Sequence, residues 1–518
     1  MKKLIVYIIF CMMNVLCVAQ QKFTKAEKTV YADADFYFYQ ERYFEAYSIL
    51  SDLYKNHSTN AELCYRMAVC EIALNKHSNS TKEKLELALK NGIIESKFYL
   101  GKFHHLHYEF DSAINYFKDY ITYTRKEKDT DRVLKEIDAC EKAKQLMSQP
   151  VDVLIVNLGE NVNSPYSEYI PVITADETEM YFTSRRENST GGKLDPNNLF
   201  FEDIYRIEKT DSGWTAPKNN LGQINTKTHD ATAAISADGK HMVIYRTNRQ
   251  LTGGDLYITN KYKDTWQEPK LLDQNINSQF QEASACFSPD GNTLYFSSNR
   301  PGGFGGKDLY RVKKLPNGEW SFPKNLGSDI NTEFDEDSPF IDVDNVTLYF
   351  SSNGHGTMGG FDIFTAERKG SEGWAEPVNL GYPANSVNDD IYLSLTPGGR
   401  KGYYSSEKED GYGKQDLYEI NFIYRQNMNL VVKGLLVDEN GIPIQGEISI
   451  INEETKELIG LYNSNHETGK FLMILNPLIN YKVIIQANGK ASQMESYYFE
   501  FPEAQNTEIT LDPIILKN

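Results

Sequence analysis

The sequence predicts a multidomain α plus all-β protein: helical at its N-terminal end, a five-bladed β-propeller in the middle and a β-sandwich at its C-terminal end. Three observations predict this. All four tryptophans (Trp214, Trp266, Trp320 and Trp374) stand 52, 54 and 54 residues apart, and each has a proline three positions later: Pro217, Pro269, Pro323 and Pro377. A fixed period of this length means copies of one supersecondary unit, stacked or arranged radially. An Asp-aliphatic-aromatic triplet recurs five times, beginning at Asp203, Asp255, Asp308, Asp362 and Asp416. Apolar residues keep a helical spacing before residue 148 and alternate with polar ones after residue 429.

Residues 1–19 read as a secretory signal. Lys2 and Lys3 form a basic start, Leu4 to Phe10 an apolar core, and Cys17 and Ala19 the small residues before a cleavage point between Ala19 and Gln20. The apolar run is too short and interrupted to span a membrane. Phe10 and Leu16, which precede the two cysteines, do not make a lipoprotein signal. The expectation is an exported, soluble mature chain.

Residues 22–148 are expected to be helical. Ser80 and Glu83 have capping-box spacing before a run of leucines, and Gly92 stops that helix. Val133, Ile137, Cys140, Ala143 and Leu146 form an apolar stripe, and Pro150 ends it.

The repeat over 151–427 is clearest in 283–331. Four β-rich runs are separated there by Gly, Pro, Asn and Asp, which reads as four strands joined by tight turns. Four strands per copy suggests a propeller blade, and five triplets suggest five blades. Residues 187–200 are an insertion in the first copy. The fifth copy lacks a Trp strand, while Asn157-Leu158-Gly159 followed by Asn163 matches the tail of that strand elsewhere, so 151–158 is expected to complete the fifth blade. The Trp-x-x-Pro frame reads as packing between blades, the repeated Asp as an acceptor for turn N–H groups, and the loop glycines as positive-φ positions. Residues 429–518 alternate apolar and polar residues around Gly-containing turns, as a compact all-β domain would.

Several stretches resemble known families. Leu100-Gly101 with Ala113, Phe117 and Tyr120, and a looser copy at Tyr43, Ala46, Leu50 and Tyr54, resemble the tetratricopeptide repeat, whose stacked helix pairs bind other proteins. Gly434, Asp438, Gly441, Pro443, Gly469, Phe471 and Tyr481 resemble the carboxypeptidase regulatory-like domain, a seven-stranded sandwich. The strings SSNRPGGFGGKDLY and SSNGHGTMGGFDIF resemble the TolB-type, WD-repeat-like propeller. In this order the modules are similar to envelope proteins of the Bacteroidetes group, which usually add a C-terminal OmpA-like domain and serve type IX secretion and gliding. This chain lacks that domain, so direct peptidoglycan binding is not carried over.

The formal charge is −18, which disfavours nucleic acid or anionic lipid as a partner. Cys64, Cys70, Cys140 and Cys286 have neither disulfide nor metal spacing. His104 and His107 could touch one metal ion, but no third ligand can be named. Asp335, Asp337, Asp342 and Asp344 form no EF-hand loop, and no catalytic motif is present. No cofactor is expected. The resemblance implies a non-enzymatic periplasmic scaffold that binds envelope proteins beneath the outer membrane, an outer-membrane barrel or secretion components among them. The alternative is a receptor for a glycan or peptide at the mouth of the propeller. Loops 185–200, 246–254, 299–307 and 353–361 would gather there, with Arg185, Arg246, Asn299, Arg300 and Asn353 as contacts.

Overall fold

The computed structural model describes residues 23–124, 127–195, 198–236, 239–248, 251, 253–263, 265–370, 372–423, 429–465, 468–500 and 508–517. The expected signal segment, with Ala19 and Gln20, lies outside them. The chain divides into two compact units. One takes the described residues up to His104 together with Asn115–Val133; the other takes His105–Ile114 and everything from Leu134 onward.

Seven helices are described: Lys25–Tyr39, Tyr43–His57, Ala61–Ala73, Asn79–Lys90, Ser96–Leu106, Phe110–Ile121 and Glu127–Ser148. Thr24 caps the first in a capping box with Glu27. The fourth begins two residues earlier than its sequence signal. Ser78 is its N-cap, and Thr81 Oγ1 accepts the Ser78 N–H at 3.0 Å, so the Ser80–Glu83 pair lies inside the helix. In the first unit Ala34, Ala46, Leu50, Leu63, Met67 and Cys70 form one buried cluster. A Cβ on Gly101 would meet the Phe117 ring at 2.5 Å, so only glycine lets these two helices approach so closely.

The second unit holds five small antiparallel sheets in sequence order. Sheet 1 is Glu168–Ile173, Glu179–Ser184, Asp203–Thr210 and Gly213–Trp214. Sheet 2 is Asp230–Ile235, His241–Thr247 and Gly254–Tyr262 with the short strands Thr265–Trp266 and Lys270–Leu271. Sheet 3 is Ala285–Phe287, Thr293–Ser298, Asp308–Lys313 and Lys324–Asn325. Sheet 4 is Glu336–Ile341, Thr347–Ser352 and Asp362–Lys369 with Gly373–Trp374 and Val378–Asn379. Sheet 5 is Asp390–Leu395, Lys401–Ser406 and Asp416–Phe422, and Val153–Asn157 pairs with its last strand, Val153 opposite Phe422 and Asn157 opposite Tyr418.

The expected five-bladed propeller is corrected here. The structure shows seven helices followed by many small, mostly antiparallel sheets, and no strand ladder among the described residues closes one of the five sheets on the next. Neighbouring sheets meet through single backbone bonds, the N–H groups of Glu168, Asp230, Glu336 and Asp390 donating to the carbonyls of Gln415, Glu202, Lys307 and Phe361, and through side chains. Trp266 of sheet 2 is buried among Val172, Tyr181 and Ile204 of sheet 1. Trp214 of sheet 1 meets Tyr403 of sheet 5 edge to face, with ring centroids 5.9 Å apart.

Each sheet is also held by an asparagine, buried in four of the five. Asn331 accepts the Leu309 N–H at 2.8 Å and donates to the Leu309 carbonyl at 3.1 Å. Asn163, Asn225, Asn277 and Asn385 do the same to Leu417, Ile204, Leu256 and Ile363. The repeated aspartate accepts turn N–H groups: Asp308 takes those of Phe304 (2.7 Å) and Gly305 (3.0 Å). Of the glycines in loops 299–307 and 353–361, only Gly302 and Gly356 have positive φ. Gly305 serves close approach instead, since a Cβ there would lie 2.2 Å from the Phe334 carbonyl oxygen.

The C-terminal residues form two four-stranded sheets over one core that includes Leu430, Val432, Ile448, Phe471, Tyr481 and Leu516. Eight strands are described, not seven. The last two, Glu508–Thr510 and Ile514–Leu516, run parallel to Leu430–Asp438.

Candidate functional site

The first strand of every sheet opens on, or just after, an acid with no exposed surface: Glu168, Asp230, Glu282, Glu336 and Asp390. Each accepts a backbone N–H from four residues upstream, at 2.5–3.0 Å. Burial raises the carboxyl pKa of Glu168, Asp230, Glu336 and Asp390. Four of the five also face a cation: Arg186 at 2.9 Å, Arg246 at 2.5 Å, Arg300 at 3.2 Å and Lys408 at 3.4 Å.

This bracket absorbs most of the residues that sequence reasoning placed at a binding mouth. Arg246 is spent on Asp230 and on the Ile224 carbonyl at 2.9 Å. Arg300 is spent on Glu282, Ser298 and the Ile276 carbonyl. Asn299 and Asn353 accept the N–H groups of Gln281 (2.8 Å) and Asp335 (3.0 Å). All four hold loops in place.

Arg185 is different. Its guanidinium reaches Asp195 Oδ2 and Glu202 Oε1, both at 3.0 Å, and Tyr169 Oη at 3.2 Å. Tyr169 donates to the same Glu202 oxygen, and His229 Nδ1 lies 3.1 Å from the other. The insertion at 187–200 therefore has a use, since it supplies Asp195. A second group stands on sheets 3 and 4. Lys307 Nζ donates to Asp337 Oδ2 at 2.7 Å, Ser284 donates to the other Asp337 oxygen, and the Lys307 N–H donates to Asp335 Oδ1 at 2.7 Å.

Two tyrosines tie the groups together. Tyr392 of sheet 5 stacks on Tyr169 with ring centroids 6.2 Å apart and planes 27° apart. Its hydroxyl pKa is raised, first by burial and then by the charges of Asp337, Glu202 and Asp389. Tyr245 of sheet 2 is raised by burial and by Glu202, and Lys307 opposes the shift. Carboxylates from three parts of the chain thus act on one tyrosine.

The carboxyl groups are set to different protonation states. Burial would raise Glu202, but the His229 hydrogen bond and the Arg185 charge override it and hold the carboxyl at about 2. Burial likewise opposes Lys307 at Asp337, and Lys307 wins, so Asp337 is lowered. Glu407, one residue beyond Ser406, is pushed up to about 7 by burial and by Asp389, against the pull of Lys414. Asp389, which raises Glu407, also acts on Tyr392; carboxyls held at different protonation states are typical of sites that bind or react.

Backbone strain marks the same strands. Ile170, Ser338 and Tyr392, each two residues after a buried acid, have φ of +51°, +55° and +63° at bulges in their strands. Sequence reasoning found Arg185 and missed Tyr169, Glu202, His229, Asp337 and Tyr392. The available signal was the offset from the repeated acid, where Tyr169 and Asp337 stand one residue after it and Tyr392 two. Among the described residues, no three His, Cys, Asp or Glu side chains are grouped to hold a metal ion. His104 instead stacks on Tyr116, and His105 Nε2 lies 2.8 Å from the Met358 carbonyl. No helix among the described residues is long and apolar enough to cross a membrane.

No protein-family profile and no curated protein matches the chain. Solved structures do. One described as a glycoside hydrolase is 10% identical, with 54% of this chain covering 94% of that one at a TM-score of 0.38. An endo-arabinase from Bacteroides thetaiotaomicron is 17% identical, with 51% covering 98% at 0.33. An α-L-arabinofuranosidase from Lactobacillus brevis is 11% identical, with 50% covering 92% at 0.31. These values transfer neither substrate nor activity. With sugar-cleaving enzymes among the matched structures, the expectation that this chain is not an enzyme is withdrawn. The scaffold reading, which the module order and the absence of a catalytic set suggested, gains no support from these matches.

Proposed function

We propose that the chain binds a neutral saccharide at the cluster of Tyr169, Arg185, Glu202, His229, Asp337 and Tyr392. The observation that carries this reading is the pairing of the cations. Arg185 is neutralised by Asp195 and Glu202, and Lys307 by Asp337, so an anionic ligand finds no free charge on either. Ionised carboxylates remain as acceptors for hydroxyl groups, and the tyrosines offer apolar ring surface with a polar tip. An uncharged polyol with apolar C–H faces suits that combination. Convergent polar groups and perturbed carboxyls in one place form the usual setting of a ligand site. A screen of neutral oligosaccharides by thermal shift tests the reading. At least one should raise the Tm of the wild type and leave Tyr392→Ala unmoved; a screen without a hit removes it.

One observation favours a second reading, glycoside hydrolysis. Glu407, near 7, can hold a proton at neutral pH while Glu202 and Asp337 stay ionised, and general acid and base roles need that division. Glu407→Gln should then abolish release of reducing sugar while leaving saccharide binding intact. Absence of any release by the wild type would leave binding alone.

A further inference from the structure

Beneath the polar cluster, the first strands of all five sheets line one cavity of about 110 Å³. Its wall is mostly aliphatic, with Ala233, Ala285, Ile341 and Leu393 from four sheets and Ile474 from the C-terminal sheets. Among the described residues, none that lines it is charged. Cys286 does, but burial pushes its thiol up to about 12, so it contributes no anion.

The polar side chains of the wall carry hydroxyls, and several are committed. Ser284 donates to Asp337, and Ser288 hydrogen-bonds with Asp290 and with the Thr293 N–H at 2.8 Å. Ser338 is buried and uncommitted. It lines the cavity, is 7% exposed, and its Oγ has no hydrogen-bond partner. A buried hydroxyl without a partner costs about 1–3 kcal/mol. The position is also strained, with φ at +55° immediately before Pro339. An apolar cavity of roughly 150 Å³ takes up benzene, so this one is in the range of a small ring or short alkyl group.

We propose that this cavity is a binding site for a small uncharged molecule, one with a benzene-sized apolar body and a single hydrogen-bonding group that pairs with Ser338 Oγ. The assignment does not depend on saccharide binding above it. The absence of charge among the described lining residues selects a neutral ligand, the aliphatic wall selects its body, and the buried, uncommitted Ser338 hydroxyl selects its polar group.

Phenol and toluene are suitable probes, titrated into the full chain by ligand-observed NMR. The wild type should bind both. Ser338→Ala should weaken phenol about tenfold, the loss of one hydrogen bond, and leave toluene within about twofold. Ala285→Leu should fill the space and abolish both. The proposal is overturned if neither probe binds up to its solubility limit, which would mean a cavity holding water only, or if phenol binds wild type and Ser338→Ala equally. Should Ala285→Leu fail to fold, the Ser338→Ala comparison decides alone.

Discussion

Arg185 and Arg300 look alike in the sequence, each an arginine just past the second strand of a repeat, and the structure gives them opposite work. Arg300 neutralises Glu282, which has no exposed surface, so Arg300→Ala strands a buried charge. It should cost about 3–5 kcal/mol in urea unfolding and leave saccharide binding of the folded fraction unchanged. Glu407 makes a prediction of its own. Its folded pKa of about 7 lies above the ordinary 4.5, so the folded state holds a proton that the unfolded state has released between those values. That stability is present below about pH 4.5 and is lost as pH rises through 7, about 3 kcal/mol in all. Glu407→Gln should therefore unfold at higher urea than wild type at pH 8 and at nearly the same urea at pH 5. Equal shifts at both pH values would contradict the assignment. Glu202 and Asp337 run the other way: both carboxyls are lowered, so their contribution is present above the ordinary carboxyl values and is lost at lower pH, for Glu202 as pH falls through about 2.

At the scale of the element, the asparagine after each Trp strand is the main fastening, because one side chain satisfies both backbone groups of a buried residue. Asn331→Ala should leave the Leu309 N–H and carbonyl without this partner and destabilise the unit by about 2–4 kcal/mol, measured by denaturant unfolding. A loss below 1 kcal/mol would show that the contact is incidental. Much of this level was legible. The Trp period, the aspartate triplet and the strand at 153–157 were all visible, because local turn chemistry repeats wherever the backbone repeats. The buried acids were not read, although each follows a Ser or Thr by four residues. In a sequence they look like solvated surface carboxylates, and only the fold shows that they are sealed in. The Gly305 loop was misread for a similar reason. Its need for glycine comes from the Phe334 carbonyl of the next strand, a neighbour that local sequence does not reveal.

For the whole molecule, helices followed by β-structure were legible from periodicity, while the way the sheets meet was not, since contacts such as Trp266 among sheet 1 residues and the Glu336 N–H on the Lys307 carbonyl leave no local signature. The candidate site escaped for the same reason. Tyr169, Glu202, Asp337 and Tyr392 are scattered over more than two hundred residues and share no motif, so only the juxtaposition of first strands brings them together. Arg185 was the one member that sequence reasoning placed there. Saccharide binding at this cluster is the central claim. Calorimetric titration of the best oligosaccharide from the screen into wild type, Tyr392→Ala and Arg300→Ala tests it most directly. Measurable binding by wild type and Arg300→Ala with at least a tenfold loss in Tyr392→Ala is the result expected, whereas equal affinity for all three, or none for any, would contradict it.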